Sequence, residues 1–154
     1  MATSKTNNVV YVQRLLPATP QEVFNAWIDP DSLAAWMRPD EITSTSAELD
    51  VHVGGSYRIV MRSATAEYIH TGEYLEIHPY ERLVFTWRAS ADWPQASIVT
   101  VELHPQQDGT QLELTHERLP DEESVANFQG GWQSVVEKFA MHLHAPAEAE
   151  SNRR

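Results

Sequence analysis

The chain carries seven histidines and no cysteine. Without thiols it has no disulfides, no thiolate nucleophile and no Cys-ligated zinc or iron–sulfur site. Imidazoles and carboxylates are left as the groups able to move a proton or hold a metal. The histidine spacing does not suggest a shared metal: His142 and His144 lie two apart in a helical stretch and face different ways. No metal or cofactor is expected. No serine stands in a strand-to-helix nucleophile turn, no acidic pair reads as an acid–base couple, and no catalytic residue is assigned. Gly54-Gly55 lacks the lysine and the following helix of a phosphate loop and reads as a hairpin turn. The most informative single residue is His116, whose same-parity neighbours are Leu112 and Leu114. An inward histidine there is either hydrogen-bonded inside the core or offered as a polar contact to a ligand. Glu67, Tyr68 and His70 add further polar groups, on a segment whose register the sequence leaves open.

These groups need a scaffold, and 154 residues fit one domain. Hydrophobic residues make up 42% and charged residues 21%, a globular balance. The 22 acidic and 11 basic residues give a net charge of −11. Such a surface repels phosphate backbones and anionic lipid heads, so neither nucleic acid nor membrane is expected as a partner. The same repulsion predicts a monomer or a weak homodimer. No apolar run reaches membrane-spanning length, and the polar Met1–Asn8 segment does not read as a signal peptide. The expected location is the cytoplasm, with residues 1–8 and 144–154 as disordered tails.

Helical and strand periods alternate along the chain. Val9–Leu16 reads as a first strand, stopped by Pro17. Thr19-Pro20-Gln21-Glu22 forms a capping box for a short helix carrying Val23, Phe24, Ala26 and Trp27. Asp29-Pro30 opens a second short helix with Leu33 and Trp36 on one face, closed by Pro39. From about Thr43 to Arg118 the period is two. Tyr57, Ile59 and Met61 share one face, as do Leu83, Phe85 and Trp87, then Val99, Val101 and Leu103, then Leu112, Leu114 and His116. Gly54-Gly55, Pro79-Tyr80, the Asp92–Ala96 loop and Asp108-Gly109 separate these runs, and links this short make antiparallel pairs. In Tyr68–Ile77 apolar residues fall on both parities, which predicts a bulge near Gly72. Asp121–Leu143 returns to helical spacing, with Val125, Phe128, Trp132, Val135, Phe139 and Leu143 as one stripe and Pro146 ending it. Gly130-Gly131 interrupts this helix, either as a bend or close contact or as the place where regular helix begins. The order predicts an α+β fold in which one antiparallel sheet packs its apolar face on the long helix.

The motif Val23-Phe24-x-Ala26-Trp27-x-Asp29-Pro30, with Leu33 and Trp36, is followed by Asp50-Val51-x-Val53-Gly54-Gly55-x-Tyr57-Arg58. Gly72-x-Tyr74-x-Glu76-Ile77-x-Pro79, Glu81–Trp87 and Gly131-Trp132 come next, in that order. Together they resemble the START-like, Bet v allergen-like (SRPBCC) helix-grip superfamily. The branch is that of the activator of heat-shock-protein-90 ATPase and its small bacterial homologues, and the resemblance spans residues 9–143. It implies a curved sheet of six or seven strands gripping the C-terminal helix, with a pocket between them. The residues implied to line that pocket are Tyr57, Met61, Phe85, Trp87 and His116 of the sheet, with Trp132, Val135 and Phe139 of the helix. The competing account is that these residues simply fill a core.

The superfamily hosts several functions, so three readings follow from the resemblance. The first is a module that holds a small hydrophobic or aromatic molecule, as carrier, sensor or sequestering protein. The second is an enzyme of the cyclase or hydrolase kind on the same pocket, with His116 or a buried carboxylate as acid or base. The third is a co-chaperone-like module that binds a chaperone partner. The absence of a nucleophile motif disfavours the second. The third is disfavoured because 154 residues leave no room for an additional co-chaperone domain.

Overall fold

The computed structural model describes residues 8–39, 41–89, 93 and 95–153, with side chains as far as 143. Strand β1 (Val10–Leu16) is followed by helices α1 (Pro20–Ile28) and α2 (Pro30–Trp36). Six strands come next: β2 (Ser44–Leu49), β3 (Ser56–Arg62), β4 (Glu67–His78), β5 (Arg82–Trp87), β6 (Ser97–Gln106) and β7 (Gly109–Glu117). Helix α3 (Glu122–Arg153) closes the chain. The strands form one curved antiparallel sheet in the order β1-β7-β6-β5-β4-β3-β2, which is the expected α+β helix-grip architecture.

Both short helices begin as their sequences dictate. The Glu22 amide donates to Thr19 Oγ1 at 3.1 Å, and the Thr19 amide donates to Glu22 Oε1 at 2.9 Å. Two otherwise orphaned donors at the start of the helix thus find acceptors. At α2 the Ser32 amide donates to Asp29 Oδ2 at 2.8 Å, and Pro30 occupies the first helical position, where no donor is needed. The two helices bury Val23, Phe24, Ala26, Trp27, Leu33 and Trp36. They lie under the sheet so that Trp36 stacks on Phe139 of α3 at 4.0 Å between ring centroids. Tertiary packing holds α3 to the concave face. Trp132, Val135, Val136, Phe139 and Ala140 share one core cluster with Phe85, Trp87, Val101 and Leu114. Burial of each large apolar side chain in it contributes roughly 1.5–3 kcal/mol.

Three local expectations need correction. The irregularity in β4 lies between Tyr74 and Glu76, not near Gly72. The extra residue there, Leu75, is exposed at 40%, which is why apolar residues fall on both parities. Gly72 serves close approach instead: a Cβ there would stand 2.0 Å from the Thr86 carbonyl oxygen and 2.5 Å from the Tyr57 ring. Tyr57 crosses beneath it to donate its hydroxyl to the Thr86 carbonyl at 2.6 Å.

The β6–β7 hairpin is present, but its two-residue loop is Gln107-Asp108, with Gln106 paired to Gly109. Gly109 alone of that turn has a positive φ, +147°, and a Cβ there would strike the Leu16 carbonyl oxygen at 2.0 Å. Finally, α3 does not stop at Pro146 but continues as helix to Arg153. A proline removes one backbone donor from the ladder, and the flanking Ala145, Ala147, Glu148, Ala149 and Glu150 are strong helix formers. At the other end, residues 1–7 lie outside the described residues. Asn8 is tied down, donating its side-chain amide to the Leu119 carbonyl at 3.0 Å.

Candidate ligand-binding site

A cavity of about 230 Å³ opens between the first half of α3 and the sheet. Asn127, Phe128, Gly131, Trp132 and Val135 of α3 form its roof. Met61 of β3, His70 and Tyr68 of β4 and Trp87 of β5 form its floor. The α2–β2 connection closes one side with Met37, Pro39, Glu41 and Ile42. Glu41, Tyr68 and Asn127 are exposed and stand at the rim, and the interior is mainly apolar and aromatic, with His70 as its buried polar member.

Four of the eight anticipated residues meet here: Met61, Trp87, Trp132 and Val135. Tyr57 and Phe85 lie deeper, in a tightly packed region bordered also by Leu33 and Tyr74, with a void of only about 10 Å³. Phe139 sits further along α3, between Trp36 and Trp27.

His116 is fully buried and does not border the cavity. Trp132 Nε1 donates to its Nδ1 at 2.9 Å. The proton of the neutral ring therefore sits on Nε2, which donates to Ser97 Oγ at 2.7 Å. Ser97 in turn donates to the Trp87 carbonyl at 2.7 Å. Every proton in this chain has one acceptor, and the chain ties α3 to β7, β6 and β5. Burial, reinforced by the neighbouring His70, pulls the His116 pKa down to about 3, so the ring stays neutral.

His70 is the histidine that the cavity does reach. It is 8% exposed and lies against Trp87 at 4.8 Å between ring centroids. Burial lowers its pKa to about 4. Its Nδ1 is buried without a hydrogen-bond partner, and so is Nε1 of Trp87. Both nitrogens are closed off within the packing of the two rings, and a buried unpaired polar atom costs about 1–3 kcal/mol. The indoles of Trp36 and Trp132 are by contrast satisfied, by the Ala26 carbonyl at 3.2 Å and by His116.

Gly131 also borders the cavity. The pair Gly130-Gly131 lies well inside α3, so it does not mark the start of regular helix, and a Cβ at either position meets nothing within 4 Å. Close helix contact does not explain the pair either. What the missing side chain at Gly131 leaves is room.

Sequence reasoning missed Met37, Pro39, Glu41 and Ile42, because a connection between elements has no period to read. The one available signal was the apolar pair Met37 and Ile42, one on either side of the Pro39 that closes the second helix. On the outer face of the sheet, Glu102, His104 and Glu113 bring possible metal-ligating atoms within 4.8 Å of one another. Strand pairing assembles them, since Glu102 lies opposite Glu113. Arg82 already holds Glu102 in a short ion pair.

A curved seven-stranded antiparallel sheet closed around a long C-terminal helix, with a cavity between, defines a helix-grip protein of the START-like type. Residues 17–144 match the family described as activator of Hsp90 ATPase homolog 1-like protein, and the chain belongs to that family. The fold is similar to that of protein CV1439 from Chromobacterium violaceum, with 30% identity, a TM-score of 0.79, and 88% of this chain and 96% of that one covered. It is also similar to the AHSA1-like protein from Aeromonas hydrophila, at 22% identity and a TM-score of 0.76, covering 90% and 94%. For protein NE0264 from Nitrosomonas europaea the values are 19% and 0.79, covering 91% and 96%. A comparison with curated proteins finds no match. Among the described residues no helix is long and apolar enough to cross a membrane.

Proposed function

We propose that the protein binds a small, largely apolar molecule in the cavity beneath the first half of α3. The observation that carries this reading is the combination of an open volume of about 230 Å³ with a helix that forgoes a side chain at Gly131, where one would fit. A glycine inside a helix costs about 1 kcal/mol against alanine, a cost that packing at Gly131 does not explain. An apolar cavity of about 150 Å³ holds benzene, so this one suits a molecule of one or two rings. The enzyme reading is weaker, because His116, its leading acid–base candidate, has both nitrogens committed inside the core.

The test is Gly131→Leu. Its Cβ meets no obstacle, and its outer atoms would occupy the cavity. The variant is expected to melt at or above the wild-type temperature. Naphthalene should quench or shift the tryptophan fluorescence of the wild type and leave that of Gly131→Leu unchanged. Native mass spectrometry of protein from its own host should find a retained small molecule in the wild type alone. Wild-type fluorescence indifferent to naphthalene, with no retained molecule, would end the proposal.

A further inference from the structure

The outer face of the sheet carries a second constellation, independent of the cavity. Glu102 and His104 lie two apart on β6, so both side chains leave the same face of that strand. Glu113 lies directly opposite Glu102 on β7. His104 Nε2 stands 3.6 Å from Glu113 Oε1 and 3.9 Å from Glu102 Oε1, and one ligating atom from each residue falls within 4.8 Å of the other two. The ligands of a tetrahedral zinc ion, each about 2.0–2.1 Å from the metal, stand about 3.3 Å from one another. Side-chain rotation covers that difference. The backbone beneath is held, since β6 and β7 are paired inside the sheet between β1 and β5. Spacing along the chain could not reveal the group, because Glu113 comes from the neighbouring strand.

The charges here favour a cation. Two carboxylates directly opposite on neighbouring strands repel one another. Arg82, opposite Glu102 on β5, binds Glu102 through Oε2 and leaves Oε1 as the oxygen nearer His104. The same guanidinium also holds Glu76 at 3.1 Å, so three carboxylates share it and the group keeps a negative excess. A carboxylate held on one oxygen by a neighbour, with the other oxygen free, has the outer support that orients a metal ligand. His104, Glu102 and Glu113 keep 47%, 37% and 32% of their side-chain surface exposed, so an ion can reach them from solvent. One imidazole with two carboxylates suits a divalent first-row transition ion, whereas magnesium and calcium prefer oxygen alone. We propose that Glu102, His104 and Glu113 form a surface site for a divalent transition-metal ion of the zinc class, with water completing the coordination.

The test titrates Zn²⁺ by calorimetry at pH 7.5 into protein stripped with EDTA and exchanged into chelator-free buffer. One equivalent is expected to bind at this site. His104→Ala and Glu113→Gln should each weaken that binding at least tenfold. His52→Ala, which breaks the exposed His52–Asp50 pair on the β2–β3 loop, should change it less than threefold. Far-UV circular dichroism checks that the variants are folded. The wild type gives a second readout that needs no substitution: the His104 ring signals should shift in a proton–nitrogen NMR spectrum when Zn²⁺ is added. Mg²⁺ in the same titration should bind at least tenfold more weakly. No uptake of zinc by the wild type overturns the proposal, and so does uptake that His104→Ala leaves unchanged. Mg²⁺ binding as tight as that of Zn²⁺ overturns the transition-metal assignment.

Discussion

Two buried histidines touch the same tryptophan and do opposite things. His116 lies 6.1 Å from the Trp87 ring and His70 lies 4.8 Å from it. Burial lowers the pKa of both. His116 has an indole donor on one nitrogen and a serine oxygen on the other, and its network joins three strands to α3. His70 has a buried nitrogen that no protein atom satisfies. Satisfaction, and not burial, separates the histidine that ties the helix to the sheet from the one left with an unpaired nitrogen.

The largest effect that probes this contrast is that of pH. In the unfolded chain both imidazoles titrate near 6.5, and in the folded protein near 4 for His70 and near 3 for His116. As pH falls below 6.5 the unfolded chain takes up protons that the folded chain refuses. Stability present above 6.5 is therefore lost, down to about pH 4 for His70 and about pH 3 for His116. Each histidine contributes a slope of up to about 1.4 kcal/mol per pH unit. Urea unfolding at pH 7, 5.5 and 4.5 measures it, and a stability flat across that range would contradict the neutral burial of both rings.

His116→Leu comes next. It leaves the Trp132 N–H without its acceptor and removes the donor to Ser97, at an expected cost of about 2–4 kcal/mol at pH 7 by chemical denaturation. A cost below about 0.5 kcal/mol would mean that the network contributes little.

The smallest effect is expected for His70→Phe. The ring shape against Trp87 is kept and an unpaired nitrogen disappears, so stability at pH 7 should hold or rise, by about 1 kcal/mol. The slope between pH 4.5 and 6 should become shallower by up to about 1.4 kcal/mol per unit. A loss at pH 7 as large as that of His116→Leu would show that His70 is also a structural group, and the contrast would collapse.

Much of the fold was legible because it rests on local rules. Thr19-Pro20-Gln21-Glu22 and Asp29-Pro30 announce their helices, since caps and prolines act within one turn. The alternation through Tyr57–Met61, Leu83–Trp87 and Leu112–His116 marks which side chains face the helix, since a strand has period two. The site was half legible. Met61, Trp87, Trp132 and Val135 could be named because they lie on periodic elements. Met37, Pro39 and Ile42 could not, because their place depends on where α2 delivers the chain. Leu75 hid the register of His70, since one extra residue exchanges the two faces of a strand.

The sequence by itself determined the order of elements, their apolar faces and the family, because these depend on spacing along the chain. It placed a histidine among leucines at position 116 and another at position 70, and it put two glycines inside a helix. Only the tertiary structure decided what those residues mean. Whether a buried nitrogen has a partner depends on side chains remote in sequence: Ser97 and Trp132 close around His116, and none closes on Nδ1 of His70. Whether a missing side chain is a packing device or a space depends likewise on what stands opposite. At Gly72 that is the Thr86 carbonyl and the Tyr57 ring, and at Gly131 it is an open cavity.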